Sequence, residues 1–394
     1  MTGRDDKDTR TAATRRSALG LMLSAPLLGA CANMGGGSLT GLFSQGPQQQ
    51  PAAVGSGQVK VGLILPLSAS GNAGVAAQSM KNAAELAFTE FRNPNIQLLI
   101  KDDAGSPQGA AAAAEQAIAE GAEIILGPLF AQSVAAVAGP ARARGIPVIA
   151  FSTDSSVAGR GVYLLSFLPE SDVNRIVEYA AGTGKKSFAA LLPDNAYGNV
   201  VEATFRNAVP RRGGRVVALE KYGFDRTTPI QNINQGLVGV DALLIADDGE
   251  AVVADAEALT AAGANLRNVQ LLGTGLWDNP RVFASPALQG GLYAAPDPAG
   301  FRAFSNRYRT KYGADPVRTS TLAYDAVALV AALARTQGPA RFSNETLTTA
   351  SGFAGIDGLF RFRADGTNER GLAVMRVGTG GPQAVVGSPK TFGA

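Results

Sequence analysis

Val59-Lys-Val-Gly-Leu-Ile-Leu65, then an Ala-rich run over 75–91, then Ile96-Gln-Leu-Leu-Ile-Lys101 is the stretch that decides the fold. A short apolar run rich in β-branched residues alternates with a longer run of helical period, the pattern of an α/β unit. The alternation continues outward, with strands expected over 123–126 and 147–151 and helices over 108–120 and 133–144. A second series follows: strands at 188–192, 215–219, 242–246 and 269–272, and helices at 172–181, 197–209 and 250–262. Runs this apolar suit parallel strands buried on both faces. The expected fold class is α/β, two doubly wound parallel-sheet lobes with a cleft between them, since open α/β sheets bind ligands beyond the carboxyl ends of their strands.

Beyond Gly290-Gly-Leu-Tyr-Ala-Ala295, helices are expected over 298–312 and 320–336, then a Gly-punctuated tail. There Phe360-Arg-Phe-Arg-Ala-Asp-Gly366 and Gly371-Leu-Ala-Val-Met-Arg-Val377 flank an Asp-Gly turn, which predicts a closing hairpin.

With 394 residues, 46% hydrophobic and 17% charged, the chain can bury two cores of ordinary size. Lys and Arg total 35 against 32 Asp and Glu, and the first thirty residues carry most of the excess. The near-neutral remainder gives no case for nucleic acid as a partner. The absence of histidine excludes Ser-His-Asp and Cys-His catalysis and imidazole metal sites. No phosphate loop, nucleophile elbow, His-Glu-x-x-His or dinucleotide fingerprint is present, so no enzyme and no cofactor or metal is expected. Paired Asp102-Asp103 ends a strand, where adjacent side chains point apart, and reads as a turn.

The only cysteine, Cys31, follows Arg15, Arg16 and the apolar run 18–30. That is a signal peptide's basic n-region and short h-region, too short to cross a bilayer. Leu28-Gly-Ala-Cys31 resembles the lipobox of bacterial lipoproteins, which implies lipid on Cys31 and attachment to the membrane through it. Thr14-Arg-Arg-Ser-Ala-Leu19 also resembles a twin-arginine export signal. Residues 1–30 are thus expected to be an export segment and 31–57 the lipidated cysteine with a flexible Gly/Gln/Ser/Pro tether. Ala32, not an aspartate, points toward the outer membrane for an envelope lipoprotein of the periplasm.

Gly62-Leu-Ile-Leu-Pro-Leu-Ser68, Asp102-Asp-Ala-Gly-Ser-Pro107, Ile125-Leu-Gly-Pro128, Gly145-Ile-Pro-Val-Ile-Ala-Phe-Ser152, Asp194-Asn-Ala-Tyr-Gly198, Tyr308-Arg-Thr-Lys-Tyr-Gly313 and Ala323-Tyr-Asp-Ala326 occur in this order. Together they resemble the type I periplasmic binding proteins, particularly the leucine/isoleucine/valine-binding branch. The resemblance implies a first lobe from 58–167 plus 297–336 and a second from 168–296 plus 337–394. It also implies that a ligand carboxylate meets a hydroxyl and backbone N–H groups after the third strand. Here that loop offers Ala131 at the usual serine and Ser133 two residues later. The Ser/Thr run after the fourth strand becomes Ser152-Thr153-Asp154-Ser155. Asp154 there suits an ammonium, or serves as an N-cap. The usual acidic anchor after the last strand of the second lobe falls at Gly275. Ser68, Ser70, Tyr197 and Asp247 complete the candidate ligand contacts, with Trp277, whose loop position favours contact over core.

These residues imply a non-enzymatic receptor for an amino-acid-like small polar solute, serving a membrane ABC transporter of the branched-chain amino acid type. The tail, Gly355-Ile-Asp-Gly-Leu-Phe with Glu369-Arg-Gly-Leu372, also resembles the lipoprotein activators of penicillin-binding proteins. That alternative implies a peptidoglycan synthase as partner, although 33–57 stands where those activators carry a helical-repeat domain.

Overall fold

The computed structural model describes residues 53–392; the export segment, Cys31 and the tether up to residue 52 lie outside the described residues. The first sheet holds β1 (Ala53–Val54), β2 (Val59–Leu65), β3 (Ile96–Asp102), β4 (Ile124–Leu126), β5 (Val148–Ala150) and β6 (Val162–Leu164), in the order β1-β3-β2-β4-β5-β6. Helices α1 (Gly71–Glu90), α2 (Pro107–Ala119) and α3 (Ala131–Ala143) connect them. β2 through β6 pair in parallel and β1 pairs antiparallel with β3. The last residues of the expected tether are therefore sheet: Ala53 and Val54 face Leu99 and Leu98, and Gly57 N–H bonds Ile96 O at 3.3 Å.

The second sheet repeats the plan. After α4 (Pro169–Gly182) come β7 (Ser187–Pro193), α5 (Ala196–Arg211), β8 (Arg215–Tyr222), α6 (Thr227–Gly236), β9 (Ala242–Ile245), α7 (Gly249–Ala261), β10 (Gln270–Gly273), α8 (Pro280–Ala284) and β11 (Leu292–Ala295). These strands run in parallel in the order β8-β7-β9-β10-β11, matching β3-β2-β4-β5-β6 of the first sheet. Each lobe is a doubly wound sheet whose chain reverses direction across its first strand.

Alternation along one strand feeds two cores. Val59, Val61, Leu63 and Leu65 face α1, whereas Ile64 packs with Ile125 and Val148 toward α2 and α3. Every residue of β2 except Lys60 is buried, the physical reason the run reads as uniformly apolar.

The remaining chain is shared between the lobes. α9 (Pro298–Tyr312) and α10 (Ser320–Thr336) return to the first, with Phe304 and Tyr308 on Ala83 and Leu86 of α1, and Leu322, Ala326 and Val330 in its main core. α11 (Asn344–Leu347) leads to a small sheet, β12 (Phe353–Gly355), β13 (Gly358–Phe362) and β14 (Asn368–Arg370), whose Phe360 and Phe362 join that same core. Only then does the chain cross back, as β15 (Ala373–Gly378) beside β11 and β16 (Gly381–Val386) at the edge. Two expectations change here. The span 337–394, expected wholly in the second lobe, is divided at about residue 371. The Asp365-Gly366 turn closes a hairpin, but its second strand is Asn368–Arg370, because 373–378 pairs with β11 instead. The chain passes between the sheets three times, near residues 165–168, 296–297 and 371–372.

Candidate functional site

A cavity of about 610 Å³ lies between the lobes, at the carboxyl ends of β5 on one side and of β7, β10 and β11 on the other. Apolar groups supply most of its wall, among them Phe167, Pro169, Val200, Leu276 and Pro296. Its charged groups are Asp154, Asp172, Asp278 and Arg318.

The second-lobe wall is set by the start of α5. Asn195 caps the helix, accepting from Gly198 N–H at 2.9 Å. A Cβ at Gly198 would overlap the Pro193 carbonyl oxygen, so only glycine lets the first turn close onto the end of β7. That approach holds Tyr197 over the cavity, its hydroxyl 2.7 Å from Thr274 Oγ1. Burial, with Asp172 and Asp247 nearby, raises the phenol and keeps it protonated. Asp172, in the first turn of α4, accepts the Gly275 N–H at 2.9 Å through Oδ2. Burial pushes its carboxyl up to about 7 against that bond and the pull of Arg370, and Glu170 adds to the rise.

On the first-lobe side, Ser152 Oγ accepts from Asp154 N–H at 3.1 Å, and Asp154 Oδ1 accepts from Ser156 N–H at 2.9 Å, capping the 3₁₀ turn Ser155–Val157. The capping use of Asp154 is thus present, while its carboxylate also faces the cavity. Arg318 stands before α10, its guanidinium between the rings of Phe167 (4.5 Å to the centroid) and Phe301 (4.6 Å). Its two terminal nitrogens donate to the buried carboxylate of Asp357 at 3.0 and 2.7 Å, and one also reaches Thr321 Oγ1 at 3.2 Å. Behind Phe167 lies Arg370, buried, 4.6 Å from the same ring and donating from Nε to Ser166 O at 2.8 Å.

Of the residues expected to contact a ligand, Thr153, Asp154 and Tyr197 line the cavity. Ser68 and Ser70 are exposed beyond β2, where Ser68 N–H bonds Asp102 Oδ1 at 3.2 Å. Ala131 opens α3 and Ser133, in its first turn, is buried; neither borders the cavity. Ser152 is buried behind Asp154. Asp247 accepts from the Tyr222 hydroxyl at 2.5 Å, in a cluster with Arg226 and Asp255, and Asp248 beside it caps α7. Trp277 is a correction: it is fully buried in the second-lobe core, its indole N–H bonded to Ile245 O at 2.9 Å, because Gly273 and Gly291 leave room for the ring.

Among the site residues that sequence reading missed are Asp172 and Arg318. Both sit where the chain enters a helix from a connecting segment, and Asp172 reads as an ordinary first-turn acid. Among the described residues, no group of three or more acidic or cysteine side chains is placed to hold a metal.

A family model described as periplasmic binding protein matches residues 58–382. Several solved structures share the fold. A branched-chain amino acid ABC transporter periplasmic ligand-binding protein from Burkholderia xenovorans is 19% identical, with a TM-score of 0.68, over 86% of this chain and 97% of that one. The leucine binding protein LivK from Thermotoga maritima is 20% identical, with a TM-score of 0.58, over 84% and 99%. An ABC transporter solute binding protein from R. palustris, in complex with benzoate, is 20% identical, with a TM-score of 0.58, over 86% and 98%. Among curated proteins, an uncharacterized protein of Rickettsia prowazekii, RP748, is 27% identical over 120 residues, 30% of this chain, and the match spans about a third (32%) of that protein's length. The family match runs through both sheets and the cavity between them: the chain belongs to the periplasmic binding proteins, in their type I fold.

Proposed function

We propose that this protein is a non-enzymatic receptor of the periplasm that closes its lobes over an amino-acid-like solute and presents it to an ABC transporter. The observation that carries the reading is the cavity itself: apolar walls, with one guanidinium and three carboxylates at its margin. Such a wall suits a small molecule bearing a carboxylate, an ammonium and an apolar body. A ligand touching both lobes binds the closed form better than the open one, and that differential affinity drives closure. The leucine-binding and benzoate-bound relatives, which share only the fold, support a solute over a protein partner.

Thermal unfolding of the full chain against a panel of amino acids and small carboxylates tests this. A ligand at a hundred times its dissociation constant stabilises by about 2.7 kcal/mol. A rise in Tm of a few degrees is expected for one chemical group of the panel. A flat panel overturns the receptor reading, and capture of peptidoglycan synthases then becomes the test of the alternative.

Membrane attachment through Cys31 belongs to the same proposal, supported by the lipobox-like Leu28-Gly-Ala-Cys31. Cys31→Ser is expected to move the bulk of the protein from the membrane to the soluble fraction. Continued sedimentation with membranes would contradict the lipid anchor.

A further inference from the structure

We infer that Arg318 is the main anchor for the ligand's carboxylate, taking over from the hydroxyl loops after the first-lobe strands, of which only Thr153 reaches the cavity. The inference deepens the receptor reading and rests on it. The other hydroxyls of those loops are out of reach: Ser133 is buried within α3, Ser152 holds Asp154 N–H, and Ser68 and Ser70 do not border the cavity. Beside the single hydroxyl of Thr153, the first lobe brings to the cavity a cation held rigidly in place. Two aromatic faces clamp the Arg318 guanidinium and Asp357 holds it end-on through its terminal nitrogens.

End-on pairing leaves the other edge of the fork uncommitted. A guanidinium carries five N–H groups, and the bonds to Asp357 and Thr321 all leave from the two terminal nitrogens, none from Nε. The side chain is 37% accessible and lines the cavity, whereas its partner carboxylate is fully buried. The edge formed by Nε–H and the second N–H of its neighbour matches a carboxylate bidentately. Clamping removes the rotamer entropy that a free arginine loses on binding.

The charges around it define the rest of the ligand. Asp154, joined by Asp172 and Asp278 once they ionise, opposes a dicarboxylate, and an anion without a compensating cation meets this acidic margin unpaired. The ligand class is therefore a monocarboxylate that also carries an ammonium, with an apolar body against Val200 and Leu276. Phe167 lies on the first crossing between the lobes, so the anchor's stacking partner belongs to the segment about which they move.

The test compares leucine and phenylalanine with leucinamide and with phenethylamine, by calorimetry on the full chain. Because Arg318→Gln leaves Asp357 buried and alone, the working variant is Arg318→Gln with Asp357→Asn, beside Arg318→Lys. In the wild type, at least one amino acid is expected to bind tenfold or more tightly than its carboxyl-free counterpart. The double variant is expected to lose that preference, binding the amino acid thirtyfold more weakly and the amine within threefold of wild type. Arg318→Lys, which keeps charge but not the fork, should fall between. A folding defect would weaken both ligands alike, so the ratio reads the anchor alone. An amino acid that binds wild type and double variant equally overturns Arg318 as anchor while the receptor reading stands. If no amino acid binds the wild type, the receptor reading falls and the anchor with it.

Discussion

Trp277→Ala is expected to lower the unfolding free energy by about 3–5 kcal/mol, the range for deleting a large buried aromatic side chain. The indole is fully buried among Leu243, Ile245, Val282 and Tyr293, and its N–H is bonded to Ile245 O. Truncation therefore leaves a cavity and strands a carbonyl oxygen in the interior, two costs that add. The wall of the cavity suffers as well, since Trp277 closes the 3₁₀ turn that carries Gly275 to Asp172. Urea unfolding should be followed by circular dichroism, because Trp277 is the only tryptophan and the fluorescence signal disappears with it. A loss below about 1 kcal/mol would contradict the core placement, being the size of an ordinary substitution.

The second large effect is a dependence on pH carried by Asp325. Its carboxyl is buried in α10, accepts one bond, from Ile356 N–H at 2.8 Å, and lies against Gly355, where a Cβ would overlap it. Burial pushes it up to about 7, and Asp357 adds to the rise while Arg370 and Arg318 oppose it. Between about 4 and 7 the folded protein therefore binds the extra proton, so stability falls as pH rises through that window and levels off above it. The ceiling is about 4 kcal/mol, at about 1.4 kcal/mol per pH unit. Asp172, pushed up to about 7 as well, acts in the same direction with a comparable share, and burial of Asp103, Asp255 and Asp278 adds to the same slope. The lowered carboxyls of Asp102 and Asp241 have their window below the ordinary carboxylate range and do not offset this slope. Asp325→Asn keeps an acceptor for Ile356 and is expected to be more stable than wild type at pH 8, with a clearly shallower slope between about pH 4 and 7, the remainder being carried by Asp172 and the other raised carboxyls. An unchanged slope in the variant would show that Asp325 is ionised in the folded state.

Where local pattern and fold agree, the sequence was legible to the residue. β2 spans Val59–Leu65 as expected, and α9 and α10 keep their expected limits, α9 because Pro298 follows the cap Asp297 and Gly313 takes the left-handed C-cap (φ 73°). β6 escaped notice because three residues carry no period, and α6 because Thr227-Thr-Pro-Ile-Gln-Asn-Ile-Asn-Gln-Gly236 holds only two buried apolar residues. The Asp-Gly turn was readable, but its second strand was not. A turn fixes neighbours a few residues apart, and nothing local says that Ala373–Gly378 prefers β11. The site divides the same way. Thr153, Asp154 and Tyr197 lie just past strand ends, where topology alone puts ligand contacts. Arg318 meets Phe167 and Asp172, themselves near neighbours in sequence, from a distant segment, and a Trp in a loop gives no sign that two glycines have made room for it.

The main core of the first lobe has a bearing on biosynthesis. β2 and α1 are among the first folded residues to be made, yet the face of α1 bearing Met80, Ala84 and Ala87 is covered by α10, and Phe360 and Phe362 complete the same core. During synthesis the earlier half of the chain must wait, with an apolar helix face uncovered, until nearly all the rest has followed. A nascent chain ending anywhere before residue 362 has no finished first lobe, so it is a client for chaperones rather than a folding intermediate that can be stored. The chain is thus best handled unfolded until it is released whole, and a fragment ending at the first crossing would aggregate instead of folding as a domain.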